Sequence, residues 1–293
     1  MTAPAVRPPV DPPPHLTSGG RSTVRVLLVL VASAVLAVSL TGLGVAAWGV
    51  SNLRVVTDQQ ALPDDMRTLV VDTASVPVAI RIDPARDARG ATAQLRLVNT
   101  SHSGAHRLVV DNDGTQSRVR IAGNPSPSLK WARGGEITVS VPPEVGRRLT
   151  VRTEQRFGAV IVTADLDRLV AHVGDGAIVL RGSARQIEGR TGTGEIVAHE
   201  PISVTERFSV TTSSGNITVD FRDAAPRTVE ALTRSGDVTV GLPGAGPFLV
   251  RAQSGVSAKV RVPETVDPVT AAGEVTARSD SGVVVVERVS SGR

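Results

Sequence analysis

Residues 210–242 read VTTSSGNITVDFRDAAPRTVEALTRSGDVTVGL, one pattern run through twice. Ser214-Gly215 and Ser235-Gly236 each divide two short runs in which apolar residues fall at every second place. Around the first glycine these are Phe208 and Val210, then Ile217 and Val219; around the second, Val229 and Ala231, then Val238 and Val240. Period two on both sides of a glycine predicts strand, tight corner, strand, with one face buried. Glycine suits the corner because a sharp bend between short strands often requires a positive φ. The preceding serine can add a local hydrogen bond, and Ser254 and Ser281 stand in the same place further on.

Aligned on that glycine, the chain holds seven copies, centred on Gly158, Gly176, Gly194, Gly215, Gly236, Gly255 and Gly282 and spaced 18 to 27 residues apart. Seven residues before each stands a large apolar residue: Val151, Leu169, Ile187, Phe208, Val229, Phe248 and Val275. Five before come Thr153, Ala171, Gly189, Val210, Ala231, Val250 and Ala277. Two and four after come Val160 and Val162, Ile178 and Leu180, Ile196 and Ala198, and, in the last copy, Val284 and Val286. The sixth copy breaks step, with Ser257 and Lys259 where valine should be, and a bulge or slip is expected there.

A repeat of about 20 residues with two or three short strands cannot bury its apolar face alone. Stacked copies bury it, with equivalent residues about 4.8 Å apart in parallel ladders. The reading is therefore all-β: a repetitive single-stranded β-solenoid of parallel stacked rungs over residues 66–290. A chain of separate β-hairpins fits less well, because identical inward positions recur with rung-like spacing. Residues 66 to about 148 hold looser alternating runs (MRTLVVD, VPVAIRI, ATAQLRLV, HRLVVD, SRVRIA, EITVSVP), expected to form the first rungs and a cap. The last copy, SGVVVVERVSSGR, suggests an exposed valine-rich strand edge, and with it self-association through the C-terminal strand.

Composition agrees with many short strands. Aromatics make up 2% of the 293 residues and Tyr is absent, so β-branched and small aliphatic residues must fill the core. With no cysteine, disulfides, thiolate metal sites and a cysteine-borne lipid anchor are all excluded. The net charge is +4, and no basic run is interleaved with aromatics, so nucleic acid is not an expected partner.

Residues 1–23 are Pro-rich without an apolar period, expected to be a disordered cytoplasmic tail. Residues 24–50 are the expected membrane helix, containing VLLVLVASAVLAVSLTGLGVAAWGV at 26–50 with Trp48 near one end. About 25 helical residues span roughly 37 Å, enough for a hydrocarbon core of about 30 Å. Arg21 and Arg25 precede the segment, which places the N-terminus in the cytoplasm and the residues after about 51 outside. A cleaved signal peptide ending near Val45-Ala46-Ala47 is the rival, but its apolar region would be unusually long. Residues 51–65 read as a linker.

From about Leu69 to Val289 the pattern resembles a bacterial family of candidate adhesins with β-strand repeats, the toastrack-like domain of unknown function. The stretches that carry the resemblance are EITVSVPPEVGRRLTVRTEQRFGAVIV, TGTGEIVA, SSGNITV and RSGDVTV. It implies parallel-stacked β proteins of the cell envelope, often tethered by an N-terminal helix, with no catalytic residues to transfer. The sixth copy and the long spacing before Gly282 depart from the pattern.

Searched for chemistry, the sequence offers little. His102 and His106 are four apart, but in a turn-rich HSGAH rather than a helical HExxH. Asp165 with Asp167, and Asp175 with Glu195, are the carboxylate pairs to check against the 5 to 9 Å separation that glycoside hydrolysis needs. No catalytic, metal or cofactor residue is assigned. The expected function is a non-enzymatic, membrane-anchored envelope protein presenting a rigid β surface to cell-wall polymer or an envelope protein. Sensing of envelope state is the alternative, and a polysaccharide-active enzyme the second.

Overall fold

The computed structural model describes residues 53–74, 76–100, 107–122, 135–244 and 246–289. The Pro-rich tail and membrane helix expected before residue 51 lie outside these. Among the described residues no helix is long and apolar enough to cross a membrane.

The described chain is all-β, with nineteen strands hydrogen-bonded into one sheet. A first group runs β1 (Leu53–Ala61), β2 (Thr68–Ala74), β3 (Ala79–Pro84), β4 (Thr92–Thr100), β5 (Arg107–Asp113), β6 (Gln116–Ala122) and β7 (Gly135–Val141). A single helical turn, α1 (Pro143–Gly146), follows. The repeats supply β8 (Thr150–Val162), β9 (Leu166–Leu180), β10 (Ser183–Thr193), β11 (Ile196–Val197), β12 (Ser203–Ser214), β13 (Ile217–Asp220), β14 (Thr228–Ser235) and β15 (Val238–Leu242). The last four are β16 (Leu249–Ser254), β17 (Ser257–Arg261), β18 (Glu274–Ser279) and β19 (Val283–Arg288).

The strands before the corner glycines form one parallel ladder, β6-β2-β8-β9-β10-β12-β14-β18-β16. Those after the corners form another, β7-β3-β8-β9-β11-β13-β15-β19-β17, with β8 and β9 running through both. Register follows the sequence pattern. Val151, Leu169, Ile187, Phe208, Val229 and Val275 pair in succession, each 5% exposed or less. Val160, Ile178, Ile196, Ile217, Val238 and Val284 make the matching column of the second ladder. Burying one such side chain contributes about 1.5–3 kcal/mol, so the columns are the main source of stability. Phe208 packs edge-on against Phe221 with ring centres 5.2 Å apart, using two of the few aromatics to fill the interior.

At the N-terminal end parallel stacking gives way. β5 and β6 form an antiparallel hairpin, and β4 runs antiparallel to β7. β1 falls within the expected linker 51–65, yet it joins the sheet beside β4. Residues 66–148 therefore supply two parallel rungs, β2-β3 and, outside it, β6-β7, with β4 and β5 paired antiparallel onto the outer one.

The other end differs from the simple order of copies. The sixth copy, β16-β17, is the outermost rung, and the seventh, β18-β19, lies between it and β14-β15. The final strand β19 is paired on both sides, by β15 and β17, so the expected C-terminal strand edge does not exist. The open edge belongs to β16-β17 instead. The slip expected in the sixth copy is real: Ser254 pairs with Ser279 and Ala258 with Val284, so its corner is one residue shorter than the others. Ala258 and Val260, not Ser257 and Lys259, therefore lie on the inward column. Upstream, Val250 rather than Phe248 pairs with Val275 and Ala252 rather than Val250 with Ala277, so Gly255 is not the counterpart of Gly282.

Candidate functional site

The corners set how every outward side chain is presented. Gly158, Gly176, Gly194, Gly215 and Gly236 have φ between +126° and +150°. A Cβ on Gly176, Gly194, Gly215, Gly236 or Gly282 would sit within 2.3 Å of the carbonyl oxygen of the corner glycine one rung back. Glycine is thus required twice over, by dihedral angle and by the approach of neighbouring backbones.

Just inside the corners runs a column of hydroxyls that the sequence reading overlooked. Thr191, Thr212 and Thr233 donate through Oγ1 to the carbonyls of Gly176, Gly194 and Gly215 at 3.3, 3.2 and 3.0 Å. Ser279 and Ser254 donate to Gly236 and Gly282 at 2.7 and 2.6 Å. For Thr191, Thr212, Thr233 and Ser279 the signal is a Thr or Ser three residues before the glycine. Ser254 instead stands directly before Gly255, where a turn hydrogen bond is expected, and its Oγ accepts from the Val256 and Ser257 N–H groups at 3.0 and 2.8 Å. Of the other serines directly before a glycine, Ser281 Oγ donates to the Arg234 carbonyl at 3.1 Å.

Outward-facing charges compensate one another from rung to rung. Arg185 bridges Asp167 at 2.8 Å and Glu206 at 2.7 Å; Arg207 meets Glu230 at 3.3 Å, Arg168 meets Glu188 at 3.4 Å, and Arg251 pairs with Glu274. Each exposed pair is worth little, at most about 1 kcal/mol. Their effect is on the field, since opposite charges stacked in register leave no broad patch of one sign. The Arg185 hydrogen bond holds the Asp167 carboxyl below its usual range. Burial, helped by the nearby Glu287 charge, pushes the Asp220 carboxyl up.

One depression of about 660 Å³ opens across four rungs, lined by Asp72, Glu154, Arg156, His172, Gly174, Arg190 and Gly192 among others. Register places Asp72, Glu154, His172 and Arg190 side by side on successive rungs, a row of two carboxylates, an imidazole and a guanidinium. Gly174 and Gly192 let the backbone fold close here, because a Cβ would meet the Arg156 and Gly174 carbonyls at 2.5 and 2.6 Å. Sequence reading missed this row, since its members are far apart in sequence and meet only through the ladder.

The residues singled out for chemistry fare differently. Asp165 accepts hydrogen bonds from the Ser183 backbone N–H and hydroxyl, and Asp167 is taken by Arg185. Asp175 pairs in register with Thr193 rather than Glu195, and both acids are exposed. His102 and His106 lie outside the described residues. Among the described residues no group of three or more His, Asp or Glu is placed to hold a metal ion.

No family model matches the chain, and no curated protein does. Among solved structures it is similar to a candidate adhesin from Bacteroides fragilis, at 13% identity and a TM-score of 0.47, over 80% of this chain and 97% of that one. It is similar to a candidate adhesin from Parabacteroides distasonis, at 11% identity and a TM-score of 0.42, over 79% and 97%. A candidate lipid-binding protein from the same organism gives 14% identity and a TM-score of 0.41, over 81% and 97%. At identities this low and TM-scores below 0.5, these likenesses carry no role over to this chain.

Proposed function

We propose that the chain is a non-enzymatic, membrane-anchored envelope protein whose β-solenoid presents its outward rows to a polar polymer of the cell surface. The observation that carries this reading is the alignment of Asp72, Glu154, His172 and Arg190 across consecutive rungs, where they line an open depression. A row of donors and acceptors at a fixed spacing of about 4.8 Å matches a repeating extended ligand better than a compact substrate. The uncharged apolar stretch at 26–50 supports the anchor, and Arg21 and Arg25 before it support an exterior β domain.

Two measurements test the reading together. Protease added to intact, wall-stripped cells should digest the β domain and leave a short membrane-bound remnant. Purified chain should sediment with isolated cell-wall material, and Arg190→Ala with His172→Ala should weaken that several-fold without altering thermal stability. A soluble mature chain beginning near Trp48 would refute the anchor, and unchanged sedimentation of the double variant would refute the binding row.

A further inference from the structure

The inward columns are sealed along the ladders but open at β16-β17. Val275, Ala277, Val284 and Val286 of the penultimate rung are fully buried. Their in-register neighbours Val250, Ala252 and Val260 are only half-buried, and Ala258 is exposed. Backbone groups are open there as well. The N–H groups of Leu249 and Gly255 donate to the Gly273 and Ser279 carbonyls on the inner side. Alternation along a parallel strand then turns the N–H groups of Val250, Ala252 and Ser254 toward the outer side. Phe248 shows what that side accepts: it donates to the Pro263 carbonyl and takes a bond from the Thr265 N–H. The covering segment ends there, and Val266 and Val269 beyond it are 95% and 91% exposed.

We propose that the outer edge of β16-β17 docks an extended, acidic segment of a partner protein as one further rung. Charge complementarity selects that occupant. The charged outward positions of the edge are Arg251, Lys259 and Arg261; Arg251 and Arg261 meet Glu274 and Glu287 on the inner rung, which leaves Lys259 as the cation with no acid on that side. Lys259 faces Val285 on its inner side, so its complement belongs on the outer side. A second copy fits poorly. Antiparallel pairing of two such edges that sets Val250 against Val260 also sets Arg251 against Lys259, and like charges directly opposite destabilise a sheet. Main-chain bonds along the edge supply affinity, and alternate side chains supply the selection.

The test uses the full chain in detergent and a fluorescent heptapeptide of alternating glutamate and valine. Controls are its lysine–valine counterpart and an acidic version N-methylated at alternate residues. The acidic peptide should bind saturably and slow amide hydrogen exchange at residues 250–260, with both controls at least tenfold weaker. Lys259→Glu should weaken the acidic peptide about tenfold while leaving the unfolding temperature in place; Lys259→Ala should fall between. Equal binding of both charged peptides, or binding without slowed exchange at this edge, overturns the proposal. Slowed exchange on raising the chain concentration alone overturns it in favour of a second copy. The edge is separate from the depression around Arg190, so either outcome leaves the surface-binding reading standing.

Discussion

Replacing Gly215 by alanine isolates the corner column from the rest of the fold. Its φ is +146°, and the new Cβ would lie 1.9 Å from the Gly194 carbonyl oxygen and 2.6 Å from that carbonyl carbon. Holding an L-residue in such a dihedral region costs on the order of 1–3 kcal/mol. The contact adds to it, because what must give way is backbone tied into both neighbouring rungs, and overpacking of this kind costs typically 1–3 kcal/mol. A total of about 2–6 kcal/mol follows. For a domain above 150 residues each kcal/mol lowers the unfolding temperature by roughly 2–4 °C, so a fall of about 4–24 °C is expected. Two other glycines serve as controls. Gly114 has φ +56° but nothing within 4 Å of its added Cβ, so alanine there meets only the dihedral cost, on the order of 1–2 kcal/mol. Gly189 has ordinary φ, and its Cβ would meet the Val210 and Ile178 side chains at 3.2 and 3.4 Å, so alanine there should be nearly neutral. Thermal unfolding of the three variants, followed by circular dichroism, should rank Gly215→Ala worst and Gly189→Ala mildest. Equal losses at Gly215 and Gly114 would refute the close backbone approach as a source of constraint.

Two further substitutions probe the columns and the charges. Val238→Asp, at a fully buried position between Ile217 and Val284, should cost several kcal/mol, while Thr239→Asp on the outward side stays within about 0.5 kcal/mol. Urea unfolding separates them, and similar losses would mean that the inward register is misassigned. Asp220 titrates above its ordinary value, so its charge opposes folding at neutral pH. Asp220→Asn should therefore raise the urea midpoint at pH 7. That gain should shrink as pH falls through the raised folded-state value, and be gone below the unfolded one. An equal gain at pH 7 and pH 3 would point to packing rather than charge.

The inward register was legible because it is a local property. Apart from the sixth, each glycine-centred copy places its apolar residues by the same count from its own glycine, and Val229 or Ile217 can be assigned without knowing its neighbour. Rung order is not local. Any valine column fits beside any other, so nothing in β18-β19 says that it lies inside β16-β17. The clue was the broken step of the sixth copy: its shorter corner turns Lys259 and Ser257 outward, and the Ala258 and Val260 on the inward column are not fully buried, as suits a rung with one side left in water. The same limit hid the row from Asp72 to Arg190, whose members are joined by stacking alone. The N-terminal end was obscured for another reason: its alternating runs have the period of any strand, whether parallel, as β3 with β7, or antiparallel, as β4 with β7.

The inverted order of the last two rungs also sets a sequence of events during synthesis. β16-β17 leaves the ribosome before the strands on which it rests, so its native neighbour is absent when it first emerges. Only after β18-β19 follows, across the 262–273 connection, can both seat on β14-β15. The closing segment thus acts as a keystone. Removing residues 274–288 would not merely shorten the ladder by one rung; it would strand two, and quality control would meet a chain with β14-β15 bare and β16-β17 unattached.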